Sequence, residues 1–155
     1  MYPILLAIHS LIRWLVVISL FVAIVNAFIG WFKNRQFRNK DLAIQRIAVE
    51  VAQLQMLIGI ILYVISPVVR YFLTHFKEAI KLREIRFFGL EHITMMLTAV
   101  ILITVGSSVS KKKTNDLEKF KTVAIWYTIA FLIIFSSIPW QFSPLTSRPY
   151  FRAFF

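Results

Sequence analysis

The sequence predicts an all-α integral membrane protein, a four-helix bundle with an outer amphipathic surface helix, and three observations carry that prediction. Apolar residues fill 59% of the 155 positions, against ~45–50% in soluble domains, and the mean hydropathy is +0.73. Four apolar runs are each long enough for ~30 Å of hydrocarbon. The runs are joined by short connections rich in Lys and Arg. In lipid every backbone polar group needs an internal partner, and a helix supplies it within one segment. Spans of ~20 residues each leave room for one transmembrane domain over residues 1–155 and no separate soluble one.

The first span is read over residues 12–32, the uninterrupted part of an apolar run that begins at Pro3. Trp14 and Trp31 suit its two interfaces. No basic region precedes the run and no small-residue cleavage site follows it, so it is read as a retained helix. The second span, residues 47–66, stops at Pro67, whose fixed φ and missing N–H disfavour continuation. The third covers residues 87–107 and the fourth residues 122–139, with Trp140 at its end. Between the second and third, residues 69–85 place Val69, Phe72, Phe76 and Ile80 at helical spacing while Arg70, Lys77, Glu78, Lys81 and Glu84 fall largely elsewhere. That pattern predicts an amphipathic helix lying on the membrane.

Lys and Arg in short connections are retained on the cytoplasmic side. Lys33, Arg35, Arg38, Lys40 and Arg46 follow the first span, and Lys111, Lys112, Lys113, Lys119 and Lys121 flank the connection to the fourth. Fewer basic residues lie on the other side: Arg70, Lys77, Lys81, Arg83, Arg86, Arg148 and Arg152. Both termini are therefore expected outside. The net charge of +11 sits at the ends of apolar runs, where it meets lipid headgroups rather than nucleic acid. No cysteine is present, which excludes disulfides, Fe–S clusters, c-type haem attachment and thiolate zinc sites.

Ionisable residues at membrane depth are costly and by default face the bundle interior. His9 and Arg13 share a face of the first helix at i, i+4. Counting ~1.5 Å per residue from the inner boundary puts Arg13 at ~27 Å and Glu91 at ~24 Å, which predicts a buried Arg13 to Glu91 ion pair. Asn26, Glu50 and Gln53, with Gln55, are expected to form an inner polar layer. The sharpest cofactor reading is a b-type haem between His9 and His92 on neighbouring helices. The same count separates those histidines by ~10 Å in depth, so the competing reading is that each forms an ordinary hydrogen bond. Met95 and Met96, one turn below His92, are read as packing, and His75 as a solvated residue of the surface helix. There is no HExxH, no glycine-rich phosphate loop and no Gly-x-Ser-x-Gly elbow. No metal site held by protein ligands alone is expected.

The segments His9-Ser-Leu-Ile-Arg-Trp14, Gln53-Leu-Gln-Met-Leu-Ile-Gly59, Arg86-Phe-Phe-Gly-Leu-Glu-His92 and Ile138-Pro-Trp140 together resemble small, four-helix bacterial inner-membrane proteins labelled cytochrome b-like. The resemblance covers essentially the whole chain. It implies a possible haem with His9 and His92 as the matching ligands and Arg13 placed to meet a propionate. A second haem is not implied, because the second helix carries Gln53 and no histidine.

The tail, residues 140–155, interleaves Trp140, Phe142, Tyr150, Phe151, Phe154 and Phe155 with Arg148 and Arg152. Aromatics and Arg are favoured at protein contacts, so Trp140, Tyr150, Phe151, Arg152 and Phe155 are expected to meet another membrane subunit. The sequence therefore points first to a small non-catalytic accessory subunit of a bacterial inner-membrane complex, respiratory by the resemblance, with no cofactor of its own. Its alternative is a b-type haem-binding electron-transfer membrane protein. A small transporter is disfavoured because the spans lack paired helix breaks.

Overall fold

Side chains that meet lipid must be apolar, so a membrane bundle cannot sort its residues by hydrophobicity and sorts them by size instead. In the computed structural model, which describes residues 2–140, Leu15, Phe21, Leu57, Val64, Ile101 and Leu132 point outward. Ala23, Ala27, Ala48, Ala52, Ala99, Ala124 and Ala130 line the centre, with Leu20, Ile103, Phe120 and Tyr127 between them. Small residues let the helices approach closely.

Four helices are long and apolar enough to cross a membrane. Helix α1 runs Tyr2–Phe32 and α2 Asn39–Ile65. Three short pieces follow: α3 Pro67–Thr74, α4 Phe76–Ala79 and α5 Arg83–Arg86. A π-helical turn, Phe87–Glu91, leads without a break into α6 His92–Lys112, and α7 spans Asp116–Ser137. Each long helix is antiparallel to the next in the chain. Tyr2, Ile65 and Ser137 lie at the upper end of the bundle, and Phe32, Asn39 and Lys112 at the lower. Helix α1 packs between α2 and α7, and α6 between α7 and α2, with the α2–α6 seam the loosest of the four.

The helices are longer than the predicted spans at ends that hydropathy does not mark. Helix α1 starts two to three turns earlier than residue 12, with Pro3 in the first turn, where its missing N–H costs nothing. Helix α2 starts at Asn39 rather than 47, because its polar first turn is closed by Asp41: Oδ2 accepts from the backbone N of Arg38 at 2.9 Å. At the start of α7, Asn115 accepts from Leu117 N at 2.8 Å.

The single surface helix expected over residues 69–85 is not formed. A straight helix of that length would run ~25 Å, whereas it must join α2 to a neighbour whose axis lies ~8–10 Å away. The chain instead folds back at His75 and again at residues 80–82. Ser66 caps α3 by accepting from Val69 N at 3.4 Å, followed by Pro67 in the first turn. Val69 and Phe72 are buried as the amphipathic pattern requires, but Phe76 is exposed and Ala79 takes the inward place.

Polar groups tie the lower half together. Arg35 Nη2 donates to Asn26 Oδ1 at 2.8 Å and to Asp41 Oδ1 at 2.6 Å, and Asn26 Nδ2 donates to the same Asp41 oxygen at 2.9 Å. Above them Gln45 donates to Ser107 Oγ at 2.9 Å, and the fully buried Tyr127 donates to the carbonyl of Gln45 at 3.2 Å. This is the inner polar layer, and its membership differs from the expected one. Asn26 belongs to it. Glu50 does not: it lies on the outside of α2, paired with Arg46 at 2.8 Å. Gln53 is also exposed and donates to Thr104 Oγ1 at 3.2 Å across the α2–α6 seam. The longer α2 lifts both residues above the layer. On α6 four hydroxyls, those of Thr94, Thr98, Thr104 and Ser108, donate to the carbonyl one turn back at 2.7–3.0 Å.

Candidate functional site

The upper half of the bundle contains a cavity of about 400 Å³ between all four long helices. That volume lies in the range of ~300–1,000 Å³ typical of small-molecule and cofactor sites. Its lining follows helical spacing: His9, Arg13 and Val16 from α1, Gln55, Gly59 and Tyr63 from α2, and His92, Met96 and Val100 from α6. Ile134 and Ile138 close the α7 side and Val69 of α3 the top.

His9 and His92 therefore open into the same space, with Arg13 on the wall beside them. The ~10 Å depth mismatch expected from the sequence came from placing the inner end of the third span at Ser107. Measured from Lys112, His92 stands ~30 Å above the lower end, against ~35 Å for His9 measured from Phe32. Modest tilt closes the remainder.

The two rings differ in how they are held. His92 Nδ1 lies 3.1 Å from the carbonyl oxygen of Ser137. A carbonyl only accepts, so Nδ1 carries the proton and Nε2 is left with its lone pair. His9 Nδ1 is buried and has no hydrogen-bond partner among the described residues, and the same holds for Gln55 Oε1. Gln55 Nε2 donates to the backbone carbonyl of His9 at 2.8 Å, so Gln55 belongs to the cavity and not to the inner polar layer. Gly59 makes room for the His9 ring, since a Cβ there would stand 3.3 Å from His9 Cε1.

The expected Arg13 to Glu91 pair is replaced by another. Glu91 accepts from Arg86 Nε at 2.6 Å. The π turn explains the exchange, because its wider i, i+5 repeat brings residues 86 and 91 onto one face. Arg13 stays on the cavity wall, 3.4 Å from Ser10 Oγ and with its guanidinium over the Trp14 ring. The turn is braced by Tyr63, whose hydroxyl donates to Gly89 O at 2.8 Å, and by Phe72, which fills the space where a Gly89 side chain would project.

Comparison with protein-family models, with curated proteins and with solved structures yields no match.

Among the described residues no three His, Cys, Asp or Glu side chains converge on one point. A bare metal ion needs three or four protein ligands, whereas a haem brings four nitrogens and takes one or two axial ligands from the protein. Two imidazoles in an apolar four-helix cavity fit the second demand. His9 Nδ1 and Gln55 Oε1 are left without hydrogen-bond partners among the described residues on this wall, and Gly59 leaves room for the His9 ring.

Of the residues expected to contact a partner, Trp140 packs inward instead. Its ring lies 5.9 Å from Trp14 and 4.9 Å from Phe135, and Nε1 donates to Phe135 O at 2.8 Å. Tyr150, Phe151, Arg152 and Phe155 lie outside the described residues. Met95 accepts from Ser137 Oγ at 3.3 Å, and His75 is exposed, stacked on Tyr71. Gly59, Tyr63 and the Ser137 carbonyl were missed as site residues. Gln55, Gly59 and Tyr63 recur at i, i+4, i+8, a spacing that could have revealed the first two; a backbone acceptor on another helix leaves no mark in sequence.

Proposed function

We propose that the chain is a b-type haem protein of the membrane that carries electrons near the non-cytoplasmic face, with His9 and His92 as the residues that would hold the haem. The observation that carries this reading is the convergence of His9 and His92 on one apolar cavity, with the His92 tautomer set by Ser137. Metal-bound histidines characteristically donate their other ring N–H in this way. When bound, the haem would supply a one-electron couple. The chain's own residues hold and insulate it. His9 and His92 offer nitrogens from opposite helices. Val16, Leu62, Val100, Ile134 and Ile138 give the cavity an apolar lining, and Arg13, one turn below His9 on α1, offers positive charge to a propionate. An accessory role in a larger bacterial inner-membrane assembly is compatible with this activity and draws on the aromatic tail.

Protein purified from haem-replete membranes is expected to show a Soret band, visible bands that sharpen on reduction, and close to one haem per chain. His92→Ala should remove most of the haem, and His75→Ala should leave the spectrum unchanged. A monodisperse wild-type protein without haem would overturn the reading.

The positive-inside bias supports an outward upper end. Alkaline phosphatase, which matures only outside the cytoplasm, should be active when fused after Phe155 and inactive when fused after Lys113. The reverse pattern would invert the bundle and move the cavity to the cytoplasmic side.

A further inference from the structure

The asymmetry between the two imidazoles has a chemical meaning that electron transfer alone does not require. His92 is oriented before any ligand arrives, because its Nδ1 is tied to Ser137 O at 3.1 Å and Ser137 is itself buried. Such a bond also makes the opposite nitrogen a stronger donor, and its loss typically weakens metal binding by ~10–100-fold. His9 has no such bond: its Nδ1 is buried without a hydrogen-bond partner among the described residues. Gly59 leaves room for its ring, since a Cβ there would stand 3.3 Å from His9 Cε1, and the Gln55 amide nitrogen is committed to the His9 main chain.

On the haem reading above, we infer that His92 is the permanent axial ligand and His9 an exchangeable one, so that the His9 side of the cavity takes small neutral diatomic ligands of the carbon monoxide, nitric oxide and dioxygen class. The exchange moves neither an electron nor a proton. A dative bond from a neutral imidazole is given up and one from the diatomic takes its place. Neutral ligands suit this wall, since Leu6, Val16 and Leu62 offer them apolar surroundings and no charge has to be desolvated on entry. Gly59 is the positioning residue: it sets how closely the His9 ring may settle.

The test uses the purified, dithionite-reduced holoprotein titrated with carbon monoxide. Wild type should show a full Soret shift. His9→Ala should keep most of its haem and bind carbon monoxide at least tenfold more tightly, whereas His92→Ala should lose most of its haem. A second pair of variants keeps both histidines. Gly59→Ser brings a hydroxyl toward His9 Nδ1, where a Cβ would stand 3.9 Å away, and should weaken carbon monoxide binding about tenfold relative to Gly59→Ala, which adds the same Cβ without an acceptor. A haem-replete protein that ignores carbon monoxide would overturn the inference and leave the haem reading intact. So would equal haem loss in the two histidine variants, or equal affinities in the two Gly59 variants. Absence of haem from the wild type would overturn both.

Discussion

Gly106→Val should lower the stability of the bundle in detergent by about 3 kcal/mol or more, at the upper end of the cost of overpacking. A Cβ at this position would stand 2.4 Å from Trp126 Cβ and 2.8 Å from Trp126 Cγ. The Trp126 Cβ is fixed to the α7 backbone and cannot swing aside, so α6 and α7 must part. Gly30 provides the contrast. A Cβ there meets only ring atoms of Phe120, and a ring can rotate or tilt before a helix has to move. Gly30→Ala is therefore expected to cost less than Gly106→Ala. Thermal unfolding followed by circular dichroism orders the variants, and a Gly106→Val protein as stable as wild type would show that α6 and α7 do not approach here.

Arg35→Ala should cost about 3 kcal/mol. Breaking a buried ion pair by removing one partner costs ~3–5 kcal/mol, because the other charge is left uncompensated. The lower end applies, since Arg35 is 39% exposed although Asp41 is only 3% exposed. Asp41 would keep Asn26 and the Arg38 backbone N–H but lose the one cation that pairs with it among the described residues. Arg35→Ala/Asp41→Asn should recover part of the loss. The pair on the outside of α2 supplies the control: Arg46 and Glu50 are 70% and 58% exposed, and such pairs contribute ~0.2–1 kcal/mol or nothing measurable. Equal losses from Arg35→Ala and Arg46→Ala would deny the inner cluster its structural role.

The four long helices were legible because hydropathy over ~20 residues is a sum over many side chains and survives local exceptions. The ends were not, because they depend on single groups. Asp41 stands among the basic residues of a connection, with nothing in its surroundings in the sequence to single it out, yet it closes the first turn of a helix and is only 3% exposed. Helical pattern also failed over residues 69–85, where the distance between α2 and α6 overrides local periodicity. For the site, i, i+4 spacing located the right face of α1 and the right turn of α6. Charge matching at similar depth misled, since Arg13 and Glu91 stand at comparable heights but a π turn hands Glu91 to Arg86. Hydrogen-bond geometry at a backbone carbonyl, which distinguishes His92 from His9, has no signature in the order of residues.

The hydroxyls of α6 alter how that helix counts during insertion. Composition scales charge Thr94, Thr98, Thr104 and Ser108 as polar side chains entering hydrocarbon. Each, however, arrives with its proton already committed to a carbonyl one turn earlier, and an internally satisfied group avoids most of the desolvation cost that an unpaired one meets. The segment is therefore less polar than its letters, and these hydroxyls need no neighbouring helix to satisfy their protons.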